Sequence, residues 1–424
     1  MTTRPRIRIT DLRQPRLTDI QRAALDHGER HPVALTLEVV LGAAVERTGL
    51  EDFGADDFRD RLARWLTEVD GDPERTGLGR LMLYRDCIRY ASNRLRIRDL
   101  LSRHPEILEV EIAAPIIVVG LPRSGTTHLV NLVAADGRLR SLPLWESYEP
   151  VPDPDEDPGP DAGADPRRDP RYRRAEEQWQ GMEAMLPNMA AMHPMRPDHV
   201  HEELELQLPD FSSYQLEWVA RVPRWRDYYL AHDQTPHYGY LKTVLQILQW
   251  RRPGERFILK SPQHLEQLGP LTAVFPDATV VVTHRDPVSV VQSAATMMAY
   301  AARMSYTTPD PDFYLSYWTD RIGRLLEASL RDRHLVPADR GVDVHFDEFM
   351  ADEMASVESI YKVAGFPLTD EARAQIGAYA AGHPRDKEGQ VGYDLRADFG
   401  VEPGEIRSRF DFYYDAVGVR PEVQ

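Results

Sequence analysis

Residues 115–133, PIIVVGLPRSGTTHLVNLV, place one arginine and three hydroxyls in a glycine-spaced turn. Gly120 and Gly125 bracket the turn, and Arg123, Ser124, Gly125, Thr126 and Thr127 lead into a helix-like apolar pattern. Glycine admits the close backbone approach an oxyanion needs, and the free N–H groups of a helix start attract negative charge. Arg123 adds a planar fork suited to paired oxygens. The nucleotide-triphosphatase form of this loop, G-x-x-x-x-G-K-[ST], uses its lysine on β- and γ-phosphates and its hydroxyl on Mg²⁺. Thr126 stands at the lysine position here. The pattern therefore predicts an oxyanion cradle without the grip on a triphosphate and its metal.

A second basic site follows in VVVTHRDPVSVVQSAATM, residues 280–297. Arg285 comes at the end of an apolar run, and Ser293 comes eight residues later, past a helix opened by proline. With the first loop, this points to a ligand carrying two separated phosphates. Lys260, in FILKSPQH, also ends an apolar run, which would bring its ammonium out at the carboxyl edge of a sheet, where open α/β sheets place ligands.

These side chains need a scaffold, and the apolar patterning supplies one. PIIVVG, RFILKS, ATVVVTHRD and VDVHF are short β-branched runs expected to be buried strands, with amphipathic helical stretches between them. The predicted fold is α/β, a P-loop-like, largely parallel sheet flanked by helices. Residues 1–110 are expected to form a helical N-terminal subdomain and residues 111–424 the α/β domain. In the former, DDFRDRLARWLTEV sets Phe58, Leu62, Trp65 and Leu66 at helical spacing, and a longer helical run follows from Gly77. Residues 151–170 hold six Pro and six Asp, the composition of an exposed insertion. One helix after it is expected to carry Met182, Met185, Met189, Met192 and Met195, either as core or as a pliable wall for a second substrate.

The chain has 424 residues, 42% hydrophobic and 28% charged, which is an ordinary globular composition. A net charge of −17 argues against nucleic-acid or anionic-membrane partners and requires any anionic ligand to find a local basic pocket. No run reaches the length of a membrane span, and the basic N-terminus has no apolar signal core. The single cysteine, Cys87, precludes intramolecular disulfides and fits a reducing, cytoplasmic setting as a buried helix residue.

The sequence Gly-Leu-Pro-Arg-Ser-Gly-Thr-Thr, then a strand ending in Arg-Asp-Pro with serine eight residues past the arginine, resembles the sulfotransferase family over roughly residues 115–410. The helical N-terminal region resembles its longer bacterial branch. The resemblance implies 3′-phosphoadenosine 5′-phosphosulfate (PAPS) as sulfo donor, a small acceptor and no metal. Arg123, Ser124, Gly125, Thr126 and Thr127 would hold the 5′-phosphosulfate, and Arg285 and Ser293 the 3′-phosphate. PRDKEG, 384–389, resembles the late basic loop over that phosphate and nominates Arg385, Lys387 and Gly389. Phe346 takes the place of the family's tyrosine and would stack on adenine without offering a hydroxyl. Lys260 would stabilise the bridging oxygen, with Arg123 as a further cation at the transferring group.

The proton acceptor has several candidates. Glu146 follows Arg123 by 23 residues, near the spacing of one branch of the family, and Trp145 beside it is expected to raise its pKa toward that of a general base. His264 is the histidine nearest Lys260, although the histidine branch places it two residues after the lysine, where this chain has Pro262. DHVHEELE offers His199, His201, Glu202 and Glu203. The expected activity is sulfo transfer to a hydroxyl, less readily an amine, of an apolar or aromatic acceptor hinted at by the methionines and by Trp179, Phe211, Tyr214 and Trp218. The alternatives are a nucleotide-dependent phosphotransferase of the same fold and a non-catalytic nucleotide-binding module.

Overall fold

The computed structural model describes residues 6–157, 165–383 and 389–424. Its strands are β1 (Arg6–Ile7), β2 (Ile116–Gly120), β3 (Leu139–Arg140), β4 (Arg256–Lys260), β5 (Thr279–His284), β6 (Gly341–His345) and β7 (Gln390–Val391). Five of them form a parallel sheet in the order β3-β4-β2-β5-β6. Every residue of β2 and β5 is buried, which is why both carry a run of consecutive valines or isoleucines. The chain leaves β2 toward β3 on one side and leaves β5 toward β6 on the other. Their carboxyl ends therefore flank a topological switch point, the usual ligand crevice of an open sheet.

The four strands expected from the sequence are present. Three short ones were not expected, because β1, β3 and β7 have two residues each and so show no alternation. β1 and β7 pair in parallel, tying Arg6 and Ile7 to Gln390 and Val391.

The N-terminal helices are α1 (Asp19–Arg30), α2 (Leu37–Thr48), α3 (Phe58–Asp70) and α4 (Gly77–Arg103). Thr18, Thr36 and Thr76 cap α1, α2 and α4 through their side chains. The apolar face of α3, with Phe58, Leu62 and Trp65 fully buried, packs in one cluster with Cys87 of α4 and with Phe211, Leu216 and Trp225 from the later chain. The far end of α4 joins the main cluster through Ile97 and Leu100. The helices of residues 19–103 thus share their core with segments beyond 200.

After β2 come α5 (Thr126–Val133), α6 (Leu144–Tyr148), α7 (Pro170–Met185) and α8 (Met189–Met192). The methionine stripe is not on one helix, as expected, but is broken between α7 and α8. Pro187 cannot donate to a continuing helix, and Leu186 leaves helical geometry with φ −134 and ψ 68. Of the acidic insertion, residues 154–157 and 165–168 are exposed, while Asp169 is buried and caps α7.

Candidate functional site

The turn after β2 is built by contacts that exclude larger residues. A Cβ at Gly120 would lie 1.9 Å from Thr283 Oγ1, and one at Gly125 would lie 2.9 Å from Phe346 Cε2. Gly125 also has φ +86, the left-handed region that favours glycine. Arg123 holds φ +66 without being glycine, the kind of backbone strain that clusters at ligand-binding turns. Ser124 Oγ donates to the Leu121 carbonyl (2.6 Å) and meets Thr283 Oγ1 (3.0 Å), locking the turn to β5. No side chain caps α5, so the amides of its first turn face the turn unclaimed by a cap. A backbone cradle where any Cβ collides, ending in an uncapped helix start, fits a phosphate or phosphosulfate group.

The second basic site touches the first. Arg123 Nε donates to Ser293 Oγ (3.1 Å), and Arg285 Nη1 donates to the Arg123 carbonyl (2.6 Å). The Arg285 guanidinium lies 4.0 Å over the Phe346 ring, which in turn backs onto Gly125. Arg123 also reaches the Met192 carbonyl, so α8 closes over the turn. Gly389 sits at φ +97 at the start of β7, against Ile7 and Ala191, and so beside α8. Arg385 and Lys387 lie outside the described residues.

Lys260 ends β4, and its side chain is 1% exposed. Its Nζ lies 3.4 Å from Thr127 Oγ1 and is paired with the Glu202 carboxylate. Glu203, the next residue, is fully buried: its Oε2 accepts from the Lys260 amide (2.7 Å) and its Oε1 lies 2.5 Å from His264 Nε2. The segment after Lys260 is held by Ser261, which caps the short helix Pro262–Glu266, and by Arg321, which grips Glu266 at 2.5 and 2.6 Å and Glu217 at 2.9 Å. The result is one anion cradle, one second anion seat and one cation–carboxylate pair around the carboxyl ends of β2, β4 and β5.

The sulfotransferase family profile matches residues 115–370. This chain belongs to the sulfotransferase family. Among solved structures, it is similar to the sulfotransferase STF9 of Mycobacterium avium, with 27% identity, a TM-score of 0.82 and coverage of 92% of this chain and 99% of that one. It is also similar to the sulfotransferase STF1 of Mycobacterium tuberculosis, at 28% identity and a TM-score of 0.73, covering 88% and 98%. Such coverage takes in most of the N-terminal helices too. A comparison with curated proteins finds no match.

In this sulfotransferase the two leading candidates for proton acceptor have unexpected surroundings. His264 is buried without exposed surface, with Nδ1 2.6 Å from Tyr238 Oη and Nε2 on Glu203, so both ring nitrogens are engaged within the protein. Glu146, on α6, was expected to have a raised pKa beside Trp145. The structure gives the reverse. Burial alone would raise it, but the charges of Arg140 (2.7 Å) and Arg252 (3.0 Å) overcome burial and hold the carboxyl down to about 2. Two guanidinium groups on the β3 edge thus share the Glu146 carboxylate.

That arrangement carries a prediction. Glu146→Gln leaves the Arg140 guanidinium, 1% exposed, without its counter-charge, and lowers unfolding free energy by about 3 kcal/mol. The folded-state pKa lies below the ordinary value of 4.5, so the stabilisation is present at neutral pH and is lost as pH falls through about 2. Urea unfolding at pH 7 and at pH 3 tests this: the gap between wild type and variant should narrow at the lower pH.

The histidine-bearing strip 193–201 lies beside the cradle. Val200 bridges to Pro143, and the Leu144 amide donates to the His199 carbonyl. His193, His199 and His201 follow one another at 6.1 and 6.0 Å between ring centroids. Burial, with the charges of Arg123 and Lys260 next, drives His193 down to about 3. Burial also holds His199 well below its ordinary value, so His193 and His199 are neutral near pH 7. Among the described residues, no group of three or more His, Cys, Asp or Glu could hold a metal ion, and no helix is long and apolar enough to cross a membrane.

Sequence reasoning missed Thr283, which clamps Ser124, and Glu422, whose carboxylate meets Arg285. Thr283 had a signal, being the last hydroxyl before the Arg-Asp-Pro turn; Glu422 had none. Of the aromatic residues taken as hints of an acceptor wall, Phe211 and Tyr214 are fully buried core residues.

Proposed function

We propose that this enzyme moves a sulfo group from PAPS to a hydroxyl, less readily an amine, of a small apolar or aromatic acceptor. The observation that carries the donor reading is the direct link between two anion seats. Arg123 in the cradle bonds Ser293 of the second seat at 3.1 Å, and Arg285 bonds the cradle's backbone at 2.6 Å. The donor, when bound, supplies a sulfuryl group on a good leaving phosphate. The first-turn amides of α5, with Thr126 and Thr127, hold the 5′-phosphosulfate, Arg285 and Ser293 hold the 3′-phosphate, and Phe346 faces the base.

Lys260, beside Thr127, neutralises the oxygen that bridges sulfur and phosphorus as that S–O bond breaks. Glu202 is the carboxylate in contact with this lysine and is only partly covered, at 14% exposure. It takes the acceptor's proton as the new S–O bond forms in line, and the 3′-phosphoadenosine 5′-phosphate (PAP) product leaves with the bridging electrons. The partly buried methionines of α7 and the adjoining neutral histidines support an acceptor site of low polarity beside the cradle.

Calorimetry at neutral pH tests the donor reading. PAP is expected to bind without added metal, at least tenfold tighter than ATP with Mg²⁺. A tighter fit for ATP–Mg²⁺ would favour the phosphotransferase reading, and PAP binding with no turnover across a panel of hydroxylated acceptors would favour the non-catalytic one.

A further inference from the structure

The seat assigned to the 3′-phosphate contains a carboxylate from the chain itself. Glu422 Oε1 and Oε2 accept from Arg285 Nε and Nη2 at 2.8 and 2.7 Å, a two-pronged arrangement in which a carboxylate and a phosphate are interchangeable. Ser289, one helical turn before Ser293, lies 3.4 Å from Glu422 Oε2. The same guanidinium bonds the cradle backbone and covers Phe346, so Glu422 occupies the Arg285 side of the second anion seat.

The tail is docked there by other bonds as well. The amides of Glu422 and Val423 donate to Asp286 Oδ2 at 2.6 and 3.2 Å. Asp286 is 1% exposed and also caps the helix Pro287–Ser305 through the Val288 amide. Tyr414 Oη donates to the other Asp286 oxygen, Arg407 reaches the Val423 carbonyl, and Arg396 reaches the Gln424 carbonyl at 3.2 Å. Residues 422–424 thus form a strap held by backbone bonds as well as by the Glu422 side chain on Arg285.

We propose that Glu422 is an internal stand-in for the donor's 3′-phosphate, so that the strap closes the 3′-phosphate seat and must be displaced for that phosphate to bind. The proposal rests on the donor reading above. The Arg285–Glu422 pair keeps contact with solvent, at 14% and 34% side-chain exposure, and a partly exposed ion pair is weak enough for a phosphate carrying nearly two charges to displace. A closed strap reduces apparent affinity to the intrinsic affinity multiplied by the fraction of molecules that are open. Only ligands bearing the 3′-phosphate compete with it.

The test is calorimetry of PAP and of adenosine 5′-phosphosulfate, which lacks the 3′-phosphate, on wild type, Glu422→Gln and Glu422→Ala at fixed ionic strength. Both variants are expected to bind PAP about tenfold more tightly, as for a strap closed about nine-tenths of the time, and to bind adenosine 5′-phosphosulfate as wild type does. Hydrogen exchange gives a second readout. Protection of the 422 and 423 amides, bonded to Asp286, should fall in wild type on saturation with PAP. Unchanged or weaker PAP binding in the variants overturns the proposal, as does protection that survives saturation. If no form binds PAP while ATP–Mg²⁺ binds, the donor reading itself fails and the strap's role falls with it, an outcome distinct from PAP binding that ignores Glu422.

Discussion

Glu202→Gln is expected to lower kcat by about 10²–10⁴-fold while PAP affinity stays within a few-fold of wild type. That is the usual range for a positioned proton acceptor. The amide has the shape of the carboxylate and still accepts a hydrogen bond from Lys260, but it cannot take a proton. Glu202 makes no contact with the cradle's first turn or with Arg285 among its described bonds; its partner is Lys260 Nζ. Loss of structure would also lower turnover. Thermal melting separates the two directly, since the neighbouring Glu203, not Glu202, holds the Lys260 amide and His264. Turnover within a few-fold of wild type would remove Glu202 from the chemistry.

Lys260→Ala is expected to lower kcat by about 10²–10³-fold, with KM for the donor changing much less. A cation aimed at charge that develops only in the transition state contributes to kcat rather than to ground-state binding. The side chain is 1% exposed, so it is held in one place before the reaction begins. Its loss also removes the counter-charge of Glu202. The two substitutions therefore act on one unit, and the double variant should lose less than the product of the single losses. Rapid-quench measurement of a single turnover with labelled donor checks this. Full additivity would mean that Lys260 and Glu202 act independently, and a loss confined to KM would place Lys260 in binding alone.

Much of this molecule was legible in its chain. β2, β4 and β5 were readable because strands buried on both faces carry a central apolar run, and β6 because its buried Val342 and Val344 alternate with the exposed Asp343. The loop from Gly120 to Thr127 was readable because its chemistry is local: glycine where a Cβ collides, hydroxyls and an arginine within one turn. The positions of Arg285 and Lys260 followed from the strands they end.

Tertiary structure alone decided what faces each ionisable side chain. Glu146 looked like a poised acid beside Trp145 until Arg252, 106 residues away, and Arg140 enclosed it. His264 looked available until Glu203, 61 residues earlier, and Tyr238 engaged both its nitrogens. Glu202 was one acid among several until folding set it on Lys260, and Glu422 reached Arg285 across 137 residues with no motif to announce it. The physical reason is that backbone preference and apolar period act over a few residues, whereas a pKa, an ion pair or an occupied anion seat depends on charges within a few ångströms in space, whatever their separation along the chain.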